Sequence, residues 1–425
     1  MRVLRFSDTG QAVQLLQLAL NRASFGPLQT DGVFGLRTLE ALRRFQLSRG
    51  LGVDGVAGRR SHEALMPWYT GYLRHRVRRG ESFFSIARLY GADAEAVVLA
   101  NSEREATALR VGELVTVPLP FAVVPTEIDF SAVLCALCVR GLRARYPFLS
   151  AAAFGRSEMG RPLWELRLGS GENRVLYAAA FHANEWITAP LLLRFTEELC
   201  AAFAAGGRIF GHSASELFSY ARLCLVPLLN PDGVDLVTGE LQRGERYDAA
   251  RAMAAEWPSL RFPADWKANI LGTDLNLQFP ALWETARAIK FAAGVTGPAP
   301  KDYVGPAPLS ARESRALYDL TLAFDPALVL AWHTQGEVLY WQFQDYAPPA
   351  AEEIVGSFAA VSGYRPAATP YSASFAGYKD WFLQEYRRPG FTVEAGRGLN
   401  PLPLEDFPEI FRRCLGILTL ASLVT

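Results

Sequence analysis

The last 300 or so residues read as an α/β domain, and two small modules precede it. Three observations carry this. From about residue 127 onward, β-rich apolar runs alternate with helical stretches. Before them, residues 73–119 run strand, helix, helix, strand, with glycines at the turns. Before those, a short turn-plus-helix unit occurs twice.

Composition bounds the function. The chain has 425 residues, enough for two to four domains, and is 50% hydrophobic, enough for a large core. Lys plus Arg (43) equals Asp plus Glu (43), so no basic face for nucleic acid is expected. No apolar run reaches the roughly 18 residues of a membrane span. The start, "MRVLRFSDTGQ", has no apolar core of a secretory signal, so export by that route is not expected. Five cysteines make no evident disulfide framework. Cys135 and Cys138, in "FSAVLCALCVRGL", read as buried residues of an amphipathic helix.

The repeat pairs "TDGVFGLRTLEAL" (Thr30–Leu42) with "VDGVAGRRSHEAL" (Val53–Leu65). Each copy has a D-G-V-x-G turn, then a helix closing on E-A-L. "SDTGQAVQLLQLALNRA" upstream has a capping signal and helical spacing. Residues 1–68 thereby resemble the small three-helix peptidoglycan-binding domain found at the ends of wall hydrolases. In residues 73–119, "RHRV" and "LVTVPL" read as strands around two helical stretches. The turn at Gly80, "SIARLYG", Asn101 and "GELVTVP" resemble a LysM module, which implies binding of N-acetylglucosamine-containing glycans. "VPLPFAVVPT" is a linker, and residues 124–425 form the large domain.

In that domain, "RVLYAAAFH", "ARLCLVPLLN", "ALVLAWH" and "GFTVE" each end an apolar run on a polar residue: His182, Asn230, His333 and Glu394. Sites in open α/β sheets form beyond the carboxyl ends of strands, so these four should converge. His182, Glu185 and His333 offer two nitrogens and a carboxylate, the ligand set of a catalytic zinc with an open position. His62, His75 and His212 read as core or surface residues.

"FHANEWIT", "LLNPDGVDL", "GTDLN", "AWHTQGEV" and "GFTVEAG" then occur in the order of the zinc carboxypeptidase family. The resemblance implies a central mixed sheet of about eight strands flanked by helices. It implies one zinc per chain on His182, Glu185 and His333, with Glu394 as the general base toward water and Asp274 orienting His182. Lys267, in "DWKANI", stands where the digestive enzymes have an oxyanion-stabilising arginine. Those enzymes follow the Asn276 position with an arginine that clamps the substrate's terminal carboxylate. Here Leu277 and Gln278 follow, and neither supplies that clamp. Asn276, Tyr371, Lys379 and Asp380 are the candidate substrate contacts. Tyr371 sits in a segment one residue longer than its digestive counterpart.

"DWKANILGTDLNLQFPALWE" and "HTQGEVLYW" are most similar to the γ-D-glutamyl-meso-diaminopimelate peptidase subfamily. The expected substrate is therefore the stem peptide of bacterial peptidoglycan. An LD- or DL-carboxypeptidase or another zinc amidase acting on muropeptides is the alternative. The expected location is the cell wall or the spore, reached from the cytoplasm by release or retention. The sequence says nothing of oligomeric state.

Overall fold

The computed structural model describes residues 1–103 and 109–424. Residues 104–108, within the strand–helix–helix–strand segment, lie outside the described residues, as do residue 425 and the Ser372 side chain. The chain forms two compact units. One comprises Met1–Asp129 with Val133–Ser150, the other Phe130–Ala132 with Ala151–Thr425.

The first unit opens with three helices, α1 (Gln11–Arg22), α2 (Leu36–Ser48) and α3 (Arg59–Thr70). The repeat is legible in its hydrogen bonds. Gln17 Nε2 donates to Asp31 Oδ1, the Val33 carbonyl and Thr38 Oγ1, while its Oε1 accepts from Gly32 N. Gln46 does the same with Asp54, Val56, Ser61 and Gly55. Each buried glutamine thus fills its polar capacity by closing a D-G-V turn, which a buried amide requires.

Strands β1 (Tyr72–Arg76) and β2 (Leu114–Pro118) pair antiparallel, with α4 (Phe83–Tyr90) and α5 (Ala94–Leu99) between them in sequence. Val77, Phe83, Ile86, Val97, Val115 and Val117 form their core. Asn101 is buried and bonds the backbone of Val97 and Thr116, so it holds α5 onto β2. Helix α6 (Ala132–Arg145) carries Cys135 and Cys138, both buried. From Val133 on it groups with the first unit. Gly141 shows why: a β-carbon there would lie 2.1 Å from the Thr70 carbonyl and 2.7 Å from Val123. Only glycine allows so close an approach.

The second unit is built on an eight-stranded sheet. Its strands are β3 (Ser150–Arg156), β4 (Pro162–Leu168), β5 (Asn173–Ala179), β8 (Ala221–Val226), β9 (Leu328–His333), β10 (Val338–Tyr340), β11 (Arg365–Ala367) and β12 (Gly390–Glu394). Strands β6 (Arg208–Ile209) and β7 (His212–Ser213) make a separate short ribbon. The sheet order is β11-β10-β12-β9-β5-β8-β4-β3. The central four, β12, β9, β5 and β8, are parallel to one another, whereas β10 on β12 and β4 on β8 are antiparallel. The mixed sheet is as expected. Every residue of β9, "LVLAWH", is buried, because parallel strands are covered on both faces. Each large apolar side chain so buried contributes about 1.5–3 kcal/mol. Parallel strands also bring their carboxyl ends to one edge of the sheet, and the site lies there.

Candidate active site

Two of the candidate ligand residues come from different strand exits. His333 is the last residue of β9. His182 lies three residues beyond β5, after a sharp bend at Ala180, whose φ of 52° is left-handed. A non-glycine residue pays for that conformation, so something must hold it. Ala180 N donates to Thr188 Oγ1 at 3.0 Å, and Ala180 O accepts from Asn230 N at 3.0 Å. The bend carries the chain into a 3-10 turn, Ala183–Glu185, which brings Glu185 round beside His182.

His182 Nδ1 lies 2.9 Å from Glu185 Oε1, His333 Nδ1 lies 2.9 Å from Glu185 Oε2, and the two Nδ1 atoms are 3.2 Å apart. All three residues are buried and their ligand atoms share one small volume. A tetrahedral zinc with bonds of about 2.0–2.1 Å has ligand–ligand edges of about 3.3 Å. The observed edges are within a few tenths of that value, and the donor set suits zinc. His182 Nε2 is fixed by Asp274 Oδ1 at 3.0 Å, which leaves Nδ1 free of other duties. Phe181 stacks on the His333 ring at 5.0 Å.

Charge is balanced within the cluster. Burial opposes a proton on His182, but Glu185 and Asp274 outweigh it and raise its pKa to about 9. Burial likewise opposes charge on Glu185, which His182 and Lys267 overcome, holding its carboxyl well below the usual range. Lys267 Nζ is 3.2 Å from Glu185 Oε1, and Glu185, Asp274 and Glu394 keep it protonated against burial. Glu394, the last residue of β12, is pushed up to about 8 by burial and then by the Glu185 charge.

These residues open on one cleft of about 400 Å³. Its lining includes His182, Glu185, His333, Lys267, Asp274 and Glu394, and also Asn276, Lys379 and Asp380. Tyr371 is not among the lining residues. It is 70% exposed, its ring edge-on to Phe375 at 5.1 Å, although Thr369, Pro370 and Ala373 beside it line the cleft. Asn230 does not reach the cleft either, contrary to the expectation from its strand-end position. Its Nδ2 donates to the carbonyls of Phe181 and Ala268, and its Oδ1 accepts from Gly233 N. It therefore ties together the loops that carry His182 and Lys267. A β-carbon at Gly233 would meet Asn230 Oδ1 at 2.6 Å, so the asparagine needs that glycine.

At the clamp position, Leu277 lines the cleft and Gln278 turns into the core. Gln278 donates to the Val304 carbonyl and accepts from Ala311 N at 2.8 Å. The sequence reading missed a third lysine of the cleft: Lys290, 2.5 Å from Asp302, with both lining it. A signal was available. The basic residues are nearly all arginine, and the four lysines are Lys267, Lys290, Lys301 and Lys379. Three of the four line this cleft.

With this geometry in view, likeness to known proteins is decisive. Residues 138–410 match the zinc carboxypeptidase family, well over half of the chain.

The chain belongs to the zinc carboxypeptidase family.

Residues 9–65 match a putative peptidoglycan binding domain. The chain is 44% identical over 279 residues to gamma-D-glutamyl-L-diamino acid endopeptidase 1 of Lysinibacillus sphaericus, covering 66% of this chain and 68% of that one. It is 42% identical over 277 residues to an uncharacterized Bacillus subtilis protein, covering 64% and 72%. Carboxypeptidase A of Helicoverpa armigera shares the fold at a TM-score of 0.54 and 18% identity, covering 77% of this chain and 80% of that one. As a zinc carboxypeptidase, the chain uses zinc, and the His182–Glu185–His333 group fits that ion. None of the helices is long and apolar enough to cross a membrane, among the described residues.

Proposed function

We propose that this zinc carboxypeptidase hydrolyses the γ-D-glutamyl-meso-diaminopimelate bond of peptidoglycan stem peptides. The observation that carries the reading is the clamp position. Leu277 replaces the carboxylate-binding arginine while three lysines line the same cleft. Such a cleft does not require a free α-carboxylate next to the scissile bond, and its lysines, each beside a carboxylate, can still face the charges of an acidic substrate. D-Glutamate joined through its γ-carboxyl keeps its α-carboxylate free, and diaminopimelate brings further charge. The name and 44% identity of the Lysinibacillus relative support the same bond.

His182, Glu185 and His333 would hold the zinc, which would supply Lewis acidity toward water and a carbonyl. Glu394 takes the proton of the attacking water and passes it to the leaving diaminopimelate amine. Lys267, held protonated, faces the negative charge that develops on the carbonyl oxygen. Asp274 keeps His182 in one orientation. Asn276 accepts from Tyr378 N at 3.1 Å and so holds the start of the helix Tyr378–Tyr386, which borders the cleft.

The first unit acts as a tether in this reading. The match of residues 9–65 supports peptidoglycan binding. The β1–α4–α5–β2 arrangement supports the LysM reading of residues 73–119, a second glycan contact. The place of action is then the cell wall or the spore. Chromatography of L-Ala-γ-D-Glu-meso-diaminopimelate after incubation tests the bond: L-Ala-D-Glu and free diaminopimelate should appear. An intact tripeptide with zinc-loaded, folded enzyme would refute it.

A further inference from the structure

The first unit holds a cavity of its own, of about 320 Å³, and no residue of it lines the catalytic cleft. Its walls are the strands β1 and β2 on one side and helix α6 on the other. Strand alternation accounts for it. Val115 and Val117 point into the small core with α4 and α5. Thr116 between them, and its register partner Arg74, therefore face the opposite way. That face meets Arg140 and Arg143 of α6 across the cavity.

Three arginines thus line one concave site, with Glu103 as the one carboxylate among the lining residues. Among the described residues, none of the three makes an ion pair. Tyr72 orders two of them. Arg140 Nε donates to the Tyr72 hydroxyl at 3.0 Å, and the guanidinium carbons of Arg74 and Arg140 each lie 5.9 Å from the centre of the Tyr72 ring. Thr116 is only 3% exposed. Asn101 holds its backbone, yet its hydroxyl has no hydrogen-bond partner among the described residues. A hydroxyl on so buried a residue is normally bonded, and this one belongs to the cavity lining. The surrounding charge has the same sign. Residues 1–150 hold 19 arginines, no lysine and 13 acidic residues, so they are cationic within a chain of zero net charge. Arginine forks match the paired oxygens of an oxyanion, and a hydroxyl adds one more donor.

We propose that this cavity binds a free carboxylate of a peptidoglycan stem peptide, with Arg74, Arg140 and Arg143 as the forks and Thr116 as the donor between them. This rests on the tether reading above and extends it, because the first unit then grips the peptide of the wall as well as its glycan. A carboxylate is favoured over a wall phosphate because residues 9–65 of the same unit match a peptidoglycan binding domain.

The test is co-sedimentation of the zinc-loaded full chain, carrying Glu394→Gln, with insoluble peptidoglycan stripped of phosphate polymers by acid. One portion is untreated and the other has its carboxyl groups amidated. Arg74→Gln combined with Arg143→Gln should weaken binding to the untreated portion about tenfold, as loss of hydrogen bonds to a charged group does. On the amidated portion this variant and the unaltered chain should bind alike. Thr116→Val keeps the shape of the site and should weaken binding about threefold, on the untreated portion only. In the active enzyme the same changes should leave kcat/KM on soluble tripeptide unaltered. Should the arginine variant misfold and lose that activity, Thr116→Val decides. Equal binding of the variants and the unaltered chain, or weakening of the same size on both portions, would overturn the proposal. So would a difference seen only while phosphate polymers remain on the wall, which would make the ligand a phosphate. An unaltered chain that sediments with neither portion would overturn the tether reading and this proposal with it. The expected differences in binding without cleavage of the γ-bond would overturn the proposed activity alone and leave this cavity standing.

Discussion

Glu394 and His333 are register partners across two parallel strands, each at the last position of its own strand. One is the proposed base and the other a proposed zinc ligand. Their spacing is therefore set by the sheet ladder and not by a loop. Rigid elements hold reacting groups more precisely than loops do. The following predictions rest on that arrangement.

The purified protein should hold one zinc per chain. Replacing His182 or His333 by alanine should leave close to none after dialysis, as read by metal analysis. Stoichiometric zinc in either variant would remove that residue from the ligand set.

Glu394→Gln should keep zinc and fold while turnover drops by about 10²–10⁴-fold, the usual worth of a general base. Metal analysis and tripeptide turnover on the same sample check both halves. Near-normal turnover would mean the base lies elsewhere.

Asp274→Asn should weaken zinc binding by about 10–100-fold, because the group that fixes His182 loses its charge. Competition with a chelator of known affinity measures this. An unchanged zinc affinity would mean that His182 is oriented without Asp274.

Glu313 gives a pH prediction outside the site. It is fully buried, and burial, with repulsion from Glu158 and Asp232, pushes its carboxyl up to about 7. In the unfolded chain a glutamate titrates near about 4.3. The folded state thus retains a proton that the unfolded state gives up. Stability from this group is complete below about pH 4 and is lost as pH rises toward about 7. Glutamine has no such proton. The melting temperature of Glu313→Gln relative to the natural protein should climb across that window, and a flat difference would contradict the assignment. Glu313 also accepts from Asn269 Nδ2 at 3.3 Å, in the loop that carries Lys267, so Glu313→Gln and the natural protein should also be compared for turnover.

The strand-end residues were legible from periodicity, while the roles of Glu394, Asp274 and Lys267 came from the family resemblance. His333 and Glu394 end apolar runs of strand composition, and such runs have one usual place in an α/β sheet. His182 and Glu185 were legible from their spacing, although the strained bend at Ala180 that brings them together was not. Asn230 carried the same strand-end signal as the candidate ligands but serves the backbone of Phe181 and Ala268. A strand-end position marks the edge of the sheet, not which way a side chain turns there. Lys290 and Asp302 lie on a helix and a loop without apolar patterning to flag them, and only tertiary packing brings them to the cleft. The scarcity of lysine was the one clue in the sequence. Likewise, the close approach at Gly141 that groups α6 with the first unit depends on a contact with Thr70, far away along the chain.

The central claim is the bond cleaved, and the tetrapeptide L-Ala-γ-D-Glu-meso-diaminopimelyl-D-Ala tests it most directly. It offers both the γ-bond and a terminal D-alanine to the same cleft. Mass spectrometry of the digest should find L-Ala-D-Glu and diaminopimelyl-D-Ala, because Leu277 in the clamp position leaves the terminal carboxylate unanchored. Release of D-Ala alone, with the γ-D-glutamyl bond intact, would contradict the account and identify a carboxypeptidase instead.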